Sequence, residues 1–292
     1  MLNNHILMLA SPTQDDPGYF DRWARLGNLY FVPDKKEFKN INILQVDHRV
    51  IVTDNLLSKF PNLRYLVSAN TGHTHFKFSK KKYNYLKIIS LKGEREFLNS
   101  VRSVSELVFA FMLMLSRPIN ATGKLLRGRI LGIIGLGRIG THVKETAEQG
   151  FGMKVMTFDI KDDFYTLQKL FEYSDFISIH LPESKWTKKF VSRKFIFSMK
   201  KDAVLINTAR GSIIDETALR EALEQNRISG AAIDVVSDAK VLNSDVPNLI
   251  ISDHVGGSTT EDRIRTDKFI VEKLEKFLIM DSKISAQNKP LS

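Results

Sequence analysis

One stretch, Arg129-Ile-Leu-Gly-Ile-Ile-Gly-Leu-Gly-Arg-Ile-Gly140, constrains this chain more than any other. The apolar run Ile130 to Ile134 reads as a buried strand, and it ends at Gly135, Gly137 and Gly140. Ile139, Val143 and Ala147 then recur at helical spacing and would share one face. Glycines between a strand and a helix are where a dinucleotide fingerprint needs them. Gly135 permits a tight turn, and Gly137 lets backbone approach a pyrophosphate, whose charge suits the amides of a helix N-terminus. Gly140 lets helix and strand pack closely. A second strand, Lys154 to Phe158, ends in Asp159, roughly 20 residues on, where a carboxylate accepts hydrogen bonds from an adenosine ribose. A carboxylate there repels a 2′-phosphate, which argues for NAD over NADP. Lys161 is the group pulling the other way.

The 292 residues, 43% of them hydrophobic, suffice for two domains with real cores. No apolar run approaches the roughly 20 residues of a membrane span. The longest, Leu107 to Leu115, reads as a buried helix. Met1-Leu-Asn-Asn-His lacks a basic region followed by a long apolar segment, so no signal peptide is expected. The absence of cysteine excludes a disulfide framework, a thiolate metal site and a cysteine nucleophile. A soluble, cytoplasmic protein without a metal site is the expectation. A net charge of +10 suits anionic partners. The charge is scattered, as on a solvated surface, and the densest cluster, Lys77 to Lys82 beside Tyr83 and Tyr85, matches no nucleic-acid motif.

Taken in order, the first region reads as a small open α/β domain. Short apolar runs at His5 to Ala10, Leu29 to Val32, Ile41 to Val46, Val50 to Val52 and Leu63 to Ser68 predict strands. Tyr19 to Gly27 and Asn55 to Phe60 predict helices, the second capped by Asp54. The loop Asn70-Thr71-Gly72 follows a strand, where open α/β sheets place ligands, and its amides could hold a carboxylate or form an ordinary turn. Asn99 to Arg117 reads as a helix apolar nearly all round, buried in a core or a subunit interface and ended by Pro118. Six strands between Arg129 and Ser252, alternating with helices, predict a doubly wound parallel sheet. Glu261 to Met280 reads as a long helix, with frayed residues after it.

A parallel sheet brings its carboxyl ends to one edge, and here they carry Asp159, Pro182, Arg210, Asp234 and His254. An arginine beside the nicotinamide could grip a substrate carboxylate with two prongs. A histidine there could move a proton to or from a hydroxyl while a hydride goes to or from the cofactor.

Leu131-Gly-Ile-Ile-Gly-Leu-Gly-Arg-Ile-Gly140, His180-Leu-Pro182, Asn207-Thr-Ala-Arg-Gly211, Gly230-Ala-Ala-Ile-Asp-Val235 and His254-Val-Gly-Gly-Ser-Thr259 resemble, in order, the D-isomer-specific 2-hydroxyacid dehydrogenases. Asn99-Ser-Val-Arg-Ser-Val-Ser-Glu106 looks like the phosphoglycerate dehydrogenase branch. The resemblance implies a Rossmann-type nucleotide domain, residues 98–262, inserted into a smaller flavodoxin-like α/β domain, residues 1–97 with 263–292, and an active site in the cleft between them. It implies a homodimer built through the nucleotide domain, NAD as cofactor, and a small anionic 2-hydroxy or 2-keto acid, phosphorylated in one version, as substrate. It assigns Arg210 to the substrate carboxylate and keto oxygen, His254 to acid–base work, and Asn70, Thr71 and Gly72 to the carboxylate. Gly135, Gly137, Arg138, Ile139, Gly140 and Asp159 would hold adenosine and pyrophosphate. Leu181, Pro182, Thr208, Ala209, Asp234, His254, Gly256 and Gly257 would complete the cofactor site.

One departure matters. The family places a Glu, followed by Pro, shortly after the aspartate of Gly-Ala-Ala-Ile-Asp-Val, where it pairs with the histidine and raises its pKa. That position here is Ala239, followed by Lys240. Asp238, one residue earlier, is the carboxylate that could turn in instead, with a shorter side chain and a shifted origin. Without an acidic partner the histidine should be less basic and less firmly oriented, giving a lower pH optimum or weak activity. A cofactor-binding regulatory protein is therefore the alternative to an enzyme. The segment after Asp159 is also short, which trims the third unit of the nucleotide domain.

Overall fold

A computed structural model describes residues 4–10, 12, 16–117 and 122–287. The chain forms two compact units, Met1–Ser100 with Thr260–Ser292, and Val101–Thr259.

In the first unit, β1 (His5–Met8), α1 (Tyr19–Ala24), β2 (Asn28–Tyr30), β3 (Ile43–Val46), β4 (Val52–Thr53), α2 (Asp54–Leu57), β5 (Tyr65–Ser68), β6 (Phe76–Lys77), β7 (Lys87–Ser90) and α3 (Arg95–Asn99) follow one another. Five strands make one parallel sheet in the order β2-β1-β3-β5-β7. Counted within that sheet the order is 2-1-3-4-5, the flavodoxin arrangement. The helix α2 begins one residue before its expected start, because Thr53 and not Asp54 is its cap: the Thr53 hydroxyl accepts from Leu56 N at 3.3 Å. Asp54 is spent on Ser79 N instead. Of the two tyrosines beside the basic cluster, Tyr83 is buried, with its hydroxyl on the Asp54 carbonyl, and Tyr85 is exposed.

The second unit holds α4 (Ser103–Ser116), β8 (Ile130–Ile134), α5 (Arg138–Gln149), β9 (Lys154–Phe158), α6 (Phe164–Tyr173), β10 (Phe176–Ile179), α7 (Arg193–Ser198), β11 (Val204–Asn207), α8 (Glu216–Glu224), β12 (Gly230–Ile233) and β13 (Leu249–Ile251). Six strands pair in parallel in the order β13-β12-β11-β10-β8-β9. Side chains alternate between two cores. Leu131, Ile133, Val204 and Ile206 face Val108, Met112, Val143 and Ala147 of α4 and α5. Ile134, Ile177, Ile179 and Leu205 face Leu170, Phe171, Ile196 and Leu219 of α6, α7 and α8. Helices on both faces of a parallel sheet make the fold Rossmann-type α/β. Its strand order lacks the outermost third strand of the full arrangement. From β9 the chain reaches α6 after Asp159–Asp163 and crosses back to β10, which leaves β9 at the sheet edge.

The two longest helices also differ from their expected form. The expected Asn99–Arg117 helix begins only at Ser103, as α4; residues 100–102 separate it from α3, which ends at Asn99, and Pro118 lies outside the described residues. Glu106, Ala110, Leu113, Met114 and Arg117 are exposed, so α4 buries one side and shows a largely apolar stripe on the other. By length and composition alone Arg95–Ser116, which holds an 18-residue window with a mean hydropathy of 1.4, could cross a membrane, a test that core helices of soluble proteins also pass. The 14 residues of α4 rise about 21 Å, short of the ~30 Å of a bilayer core. The last helix, α9 (Thr260–Gln287), returns to the first unit and continues beyond its expected end at Met280. Asp281 anchors it there, taking hydrogen bonds from Arg64, Tyr65 and Lys87 of the sheet.

Candidate active site

The carboxyl ends of the six strands of the second unit share one edge, and the glycine loop opens there. Gly135 turns the chain at φ +98°, a left-handed conformation that favours glycine. A Cβ at Gly135 would lie 2.9 Å from the His180 carbonyl, and one at Gly140 only 2.1 Å from the Gly135 carbonyl oxygen. Gly137 precedes the first residue of α5, and a Cβ there would meet nothing within 4 Å. That open face lies beside helix amides that have no partner within α5, the arrangement an anion takes. Arg138 donates to the Val101 carbonyl at 3.1 Å, and Ile139 packs into the α4–α5 core. Asp159 accepts from Leu136 N and Ile160 N, each at 2.6 Å, so its carboxylate closes the glycine loop from the side.

After β10, His180 N donates to the Ile134 carbonyl, and its ring shares a 2.9 Å hydrogen bond with Ser178 Oγ. Burial pushes this imidazole down to about 4. Leu181 is half-buried and Pro182 exposed, and the Pro182 carbonyl accepts from Thr187 Oγ1 at 2.7 Å. After β11, the fully buried Asn207 organises the next turn: its amide donates to the Arg210 carbonyl at 2.9 Å and accepts from Ala209 N at 3.0 Å. Arg210 spends one N–H on the Ala209 carbonyl at 2.6 Å. The rest of its planar fork has no partner among the described residues. Thr208 Oγ1 is buried without a hydrogen-bond partner. The open face at Gly137 and this orphaned hydroxyl both fit a bound dinucleotide.

Asp234, just past β12, is 2% exposed. Its carboxylate takes hydrogen bonds from Ser252 Oγ at 2.5 Å, Val255 N at 2.8 Å and Gly256 N at 3.0 Å. His254 is half-buried, with a left-handed φ of +52°. Gly256 must be small, because a Cβ would lie 2.9 Å from Asp234 Oδ2, whereas Gly257 faces open space.

The structure does not turn Asp238 inward. It is exposed, and its carboxylate accepts from Lys240 N at 2.9 Å, closing its own turn. The turn is held from below by Glu216, which is buried and accepts from Ser237 N and Asp238 N at 2.7 and 2.9 Å. Gly211 admits that packing, since its Cβ would lie 2.4 Å from Ser237 N. Asn207, Glu216 and Ser252 escaped the sequence reading as site residues. Only Asn207 left a trace, inside Asn207-Thr-Ala-Arg-Gly211.

On the smaller unit, Asn70–Gly72 follows β5. Ser68 Oγ lies 2.9 Å from Asn70 Oδ1, which leaves the amide nitrogen of Asn70 as a donor, and Leu91 N bonds the Asn70 carbonyl. The ring of His73 reaches Ser90 Oγ at 2.9 Å, joining this loop to the end of β7. Burial first, then the charges of Lys92 and Lys80, hold its pKa below the ordinary histidine value.

Residues 93–256 match the family described as D-isomer specific 2-hydroxyacid dehydrogenase, NAD binding domain. A hydroxypyruvate reductase of Thermotoga maritima is 32% identical over 83% of this chain and 87% of its own. A D-3-phosphoglycerate dehydrogenase of Bacillus subtilis is 32% identical over 87% of this chain and 53% of its own. The structure of a D-lactate dehydrogenase from Aquifex aeolicus, complexed with NAD and lactic acid, superposes with a TM-score of 0.76 at 25% identity, covering 96% of this chain and 97% of that one. With its glycine loop, its strand-end residues and these relatives, the chain belongs to the D-isomer specific 2-hydroxyacid dehydrogenase family, and its cofactor is NAD.

Proposed function

We propose that this protein transfers a hydride between NAD and a 2-hydroxy or 2-keto acid, and that Arg210 and His254 touch the substrate. The observation that carries this reading is the company kept at one sheet edge. A guanidinium with unspent donors and an imidazole in a fixed loop follow strands of the same parallel sheet that carries the glycine loop. Bound nicotinamide supplies or accepts the hydride. Arg210 offers a two-pronged grip on the carboxylate and keto oxygen. His254 gives a proton to the keto oxygen in reduction and takes it from the hydroxyl in oxidation. The amides at Gly137–Ile139 hold the pyrophosphate and Asp159 the ribose. Leu181, Pro182, Thr208, Ala209, Asp234, Gly256 and Gly257 surround the remaining cofactor, and Asn70, Thr71 and Gly72 contact the carboxylate.

The substrate in this reading bears a second negative group, such as a phosphate ester. His73 joins the Asn70–Gly72 loop to Ser90, and Lys92 and Lys80 set their charges beside it. A cationic lobe next to a carboxylate-binding loop favours a dianion over glyoxylate or pyruvate. The assembly in this reading is a homodimer that covers the exposed stripe of α4.

The test is NADH oxidation with a panel of 2-keto acids, phosphohydroxypyruvate, hydroxypyruvate, glyoxylate and pyruvate among them, from about pH 5 to 9. Turnover should be highest with the phosphorylated acid and should fall at least ~100-fold in His254→Ala. A flat panel alongside tight NADH binding would overturn the dehydrogenase reading. It would favour the second one, a cofactor-sensing regulatory protein, to which the exposed turn at Asp238 and Ala239 already lends support.

A further inference from the structure

Asp234 and Ser252 lie one residue beyond β12 and β13, and the register Ile233↔Ile251 sets them side by side. Ladder bonding runs past the strands: Ser252 N donates to the Ile233 carbonyl at 3.1 Å, and His254 N to the Asp234 carbonyl at 2.9 Å. Three further bonds, from Ser252 Oγ, Val255 N and Gly256 N, end on the Asp234 carboxylate. One buried residue thus receives four hydrogen bonds from the segment 252–256. His254 sits at the centre of that segment with φ +52°. A non-glycine residue in the left-handed region persists where its surroundings over-determine it, and such positions cluster at functional sites.

We propose that Asp234 and Ser252 are positioning residues for His254: they hold its backbone left-handed and so aim its imidazole, a task the family otherwise shares with a carboxylate beside the ring. The assignment rests on His254 being the proton-transfer group. Asp234 also stands among the residues proposed to surround the cofactor, so Ser252, which does not, is the position that separates positioning of His254 from cofactor binding. It also gives the chain a way to orient His254 although position 239 is alanine and the Asp238 carboxylate is turned to Lys240 N.

Two measurements test this. In steady-state kinetics on the best substrate of the panel, Ser252→Ala should lower kcat about tenfold while KM and the NADH dissociation constant stay within about twofold. Ser252→Thr, which keeps the hydroxyl, should restore kcat. In a His254→Ala background, Ser252→Ala should cost nothing further, because a positioning residue has no work left once its target is gone. An equal loss in both backgrounds, or a weaker NADH affinity at unchanged kcat, overturns the proposal. The second measurement needs no substrate. In imidazole proton–carbon correlation spectra of the NADH-bound protein, the His254 cross-peak, identified by its loss in His254→Ala, should shift or broaden in Ser252→Ala. An unmoved cross-peak overturns the proposal. A protein inactive on every acid whose cross-peak nonetheless moves would keep the clamp and lose the dehydrogenase reading.

Discussion

Asn207 Nδ2 donates to the carbonyl of Arg210, 2.9 Å away, and Asn207 Oδ1 takes the amide of Ala209. A side chain on the sheet thereby sets the conformation of the turn that carries the guanidinium. Asn207→Ala removes both bonds from a fully buried site, so it should lower stability by about 2 kcal/mol. Because the turn would lose its shape, kcat/KM for the keto acid should fall at least ~10-fold with NADH affinity little changed. Thermal unfolding and steady-state kinetics on the same preparation check both.

Gly140 offers a sharper test of the cofactor loop. Its missing Cβ would stand 2.1 Å from a backbone oxygen, and backbone cannot step aside as a side chain can. Gly140→Ala should push α5 away from β8 and raise the NADH dissociation constant by at least ~10-fold, measurable by fluorescence titration. Gly137→Ala points into open space and should preserve the fold, losing affinity only if phosphate approaches that face.

His180 makes stability depend on pH. Its folded value of about 4 lies below the ordinary 6.5, so between those values the unfolded chain binds a proton that the folded chain refuses. Stability is therefore complete above about pH 6.5 and falls as pH drops towards 4, by up to roughly 3 kcal/mol. Urea midpoints at pH 7 and pH 5 should differ in that direction, and His180→Asn should flatten the difference. An unchanged slope in the variant would assign the acid sensitivity to other groups.

The helix α4 exposes Leu113 at 38% and Met114 at 57%. If a second copy covers them, Leu113→Glu with Met114→Lys should convert a dimer to a monomer in sedimentation velocity at micromolar concentration. A wild-type protein that is already monomeric would remove the dimer from the proposed function.

Ala239→Glu returns a carboxylate to the family's position. A negative charge beside an imidazole favours its protonated form, so the alkaline limb of the keto-acid reduction profile should move up and turnover at pH 8 should rise. No change in either would mean that the Ser237–Lys240 turn, fixed by Glu216 and by the Asp238–Lys240 bond, keeps the new carboxylate outside.

The sheet of the second unit was legible because its strands are short apolar runs, four of which stop at Gly135, Asp159, His180 and Asp234, whereas β7, Lys87–Ser90, escaped the reading of the first unit because only its two central residues are apolar. The glycine loop was legible for the same reason: Gly135 and Gly140 are there because neighbouring backbone leaves no room for a side chain. Periodicity could not reveal the open face of α4, since Ala110, Leu113 and Met114 are as apolar as the residues that α4 buries. Nor could it show that Thr53 outcompetes Asp54 as a cap, which turns on Asp54 being drawn to Ser79 by a fold not yet formed. Glu216 and Ser252 were invisible because their partners, Ser237 N and Asp234, lie far along the chain and meet them only once the strands are paired. Asp238 went astray through its nearest neighbour, the amide of Lys240, which captures a short side chain before anything distant can.

With only Asp159–Asp163 between β9 and α6, the sheet ends at β9, whose outer backbone edge pairs with no strand among the described residues. A bare edge invites another chain to add itself, and proteins discourage this with short strands and charges. Here the edge is five residues long, begins at the exposed Lys154, and runs straight into Asp159, Lys161, Asp162 and Asp163. The residues that replace a structural unit therefore double as a guard against fibre-like pairing, and Asp159, the acid proposed to hold the ribose, is one of the guards.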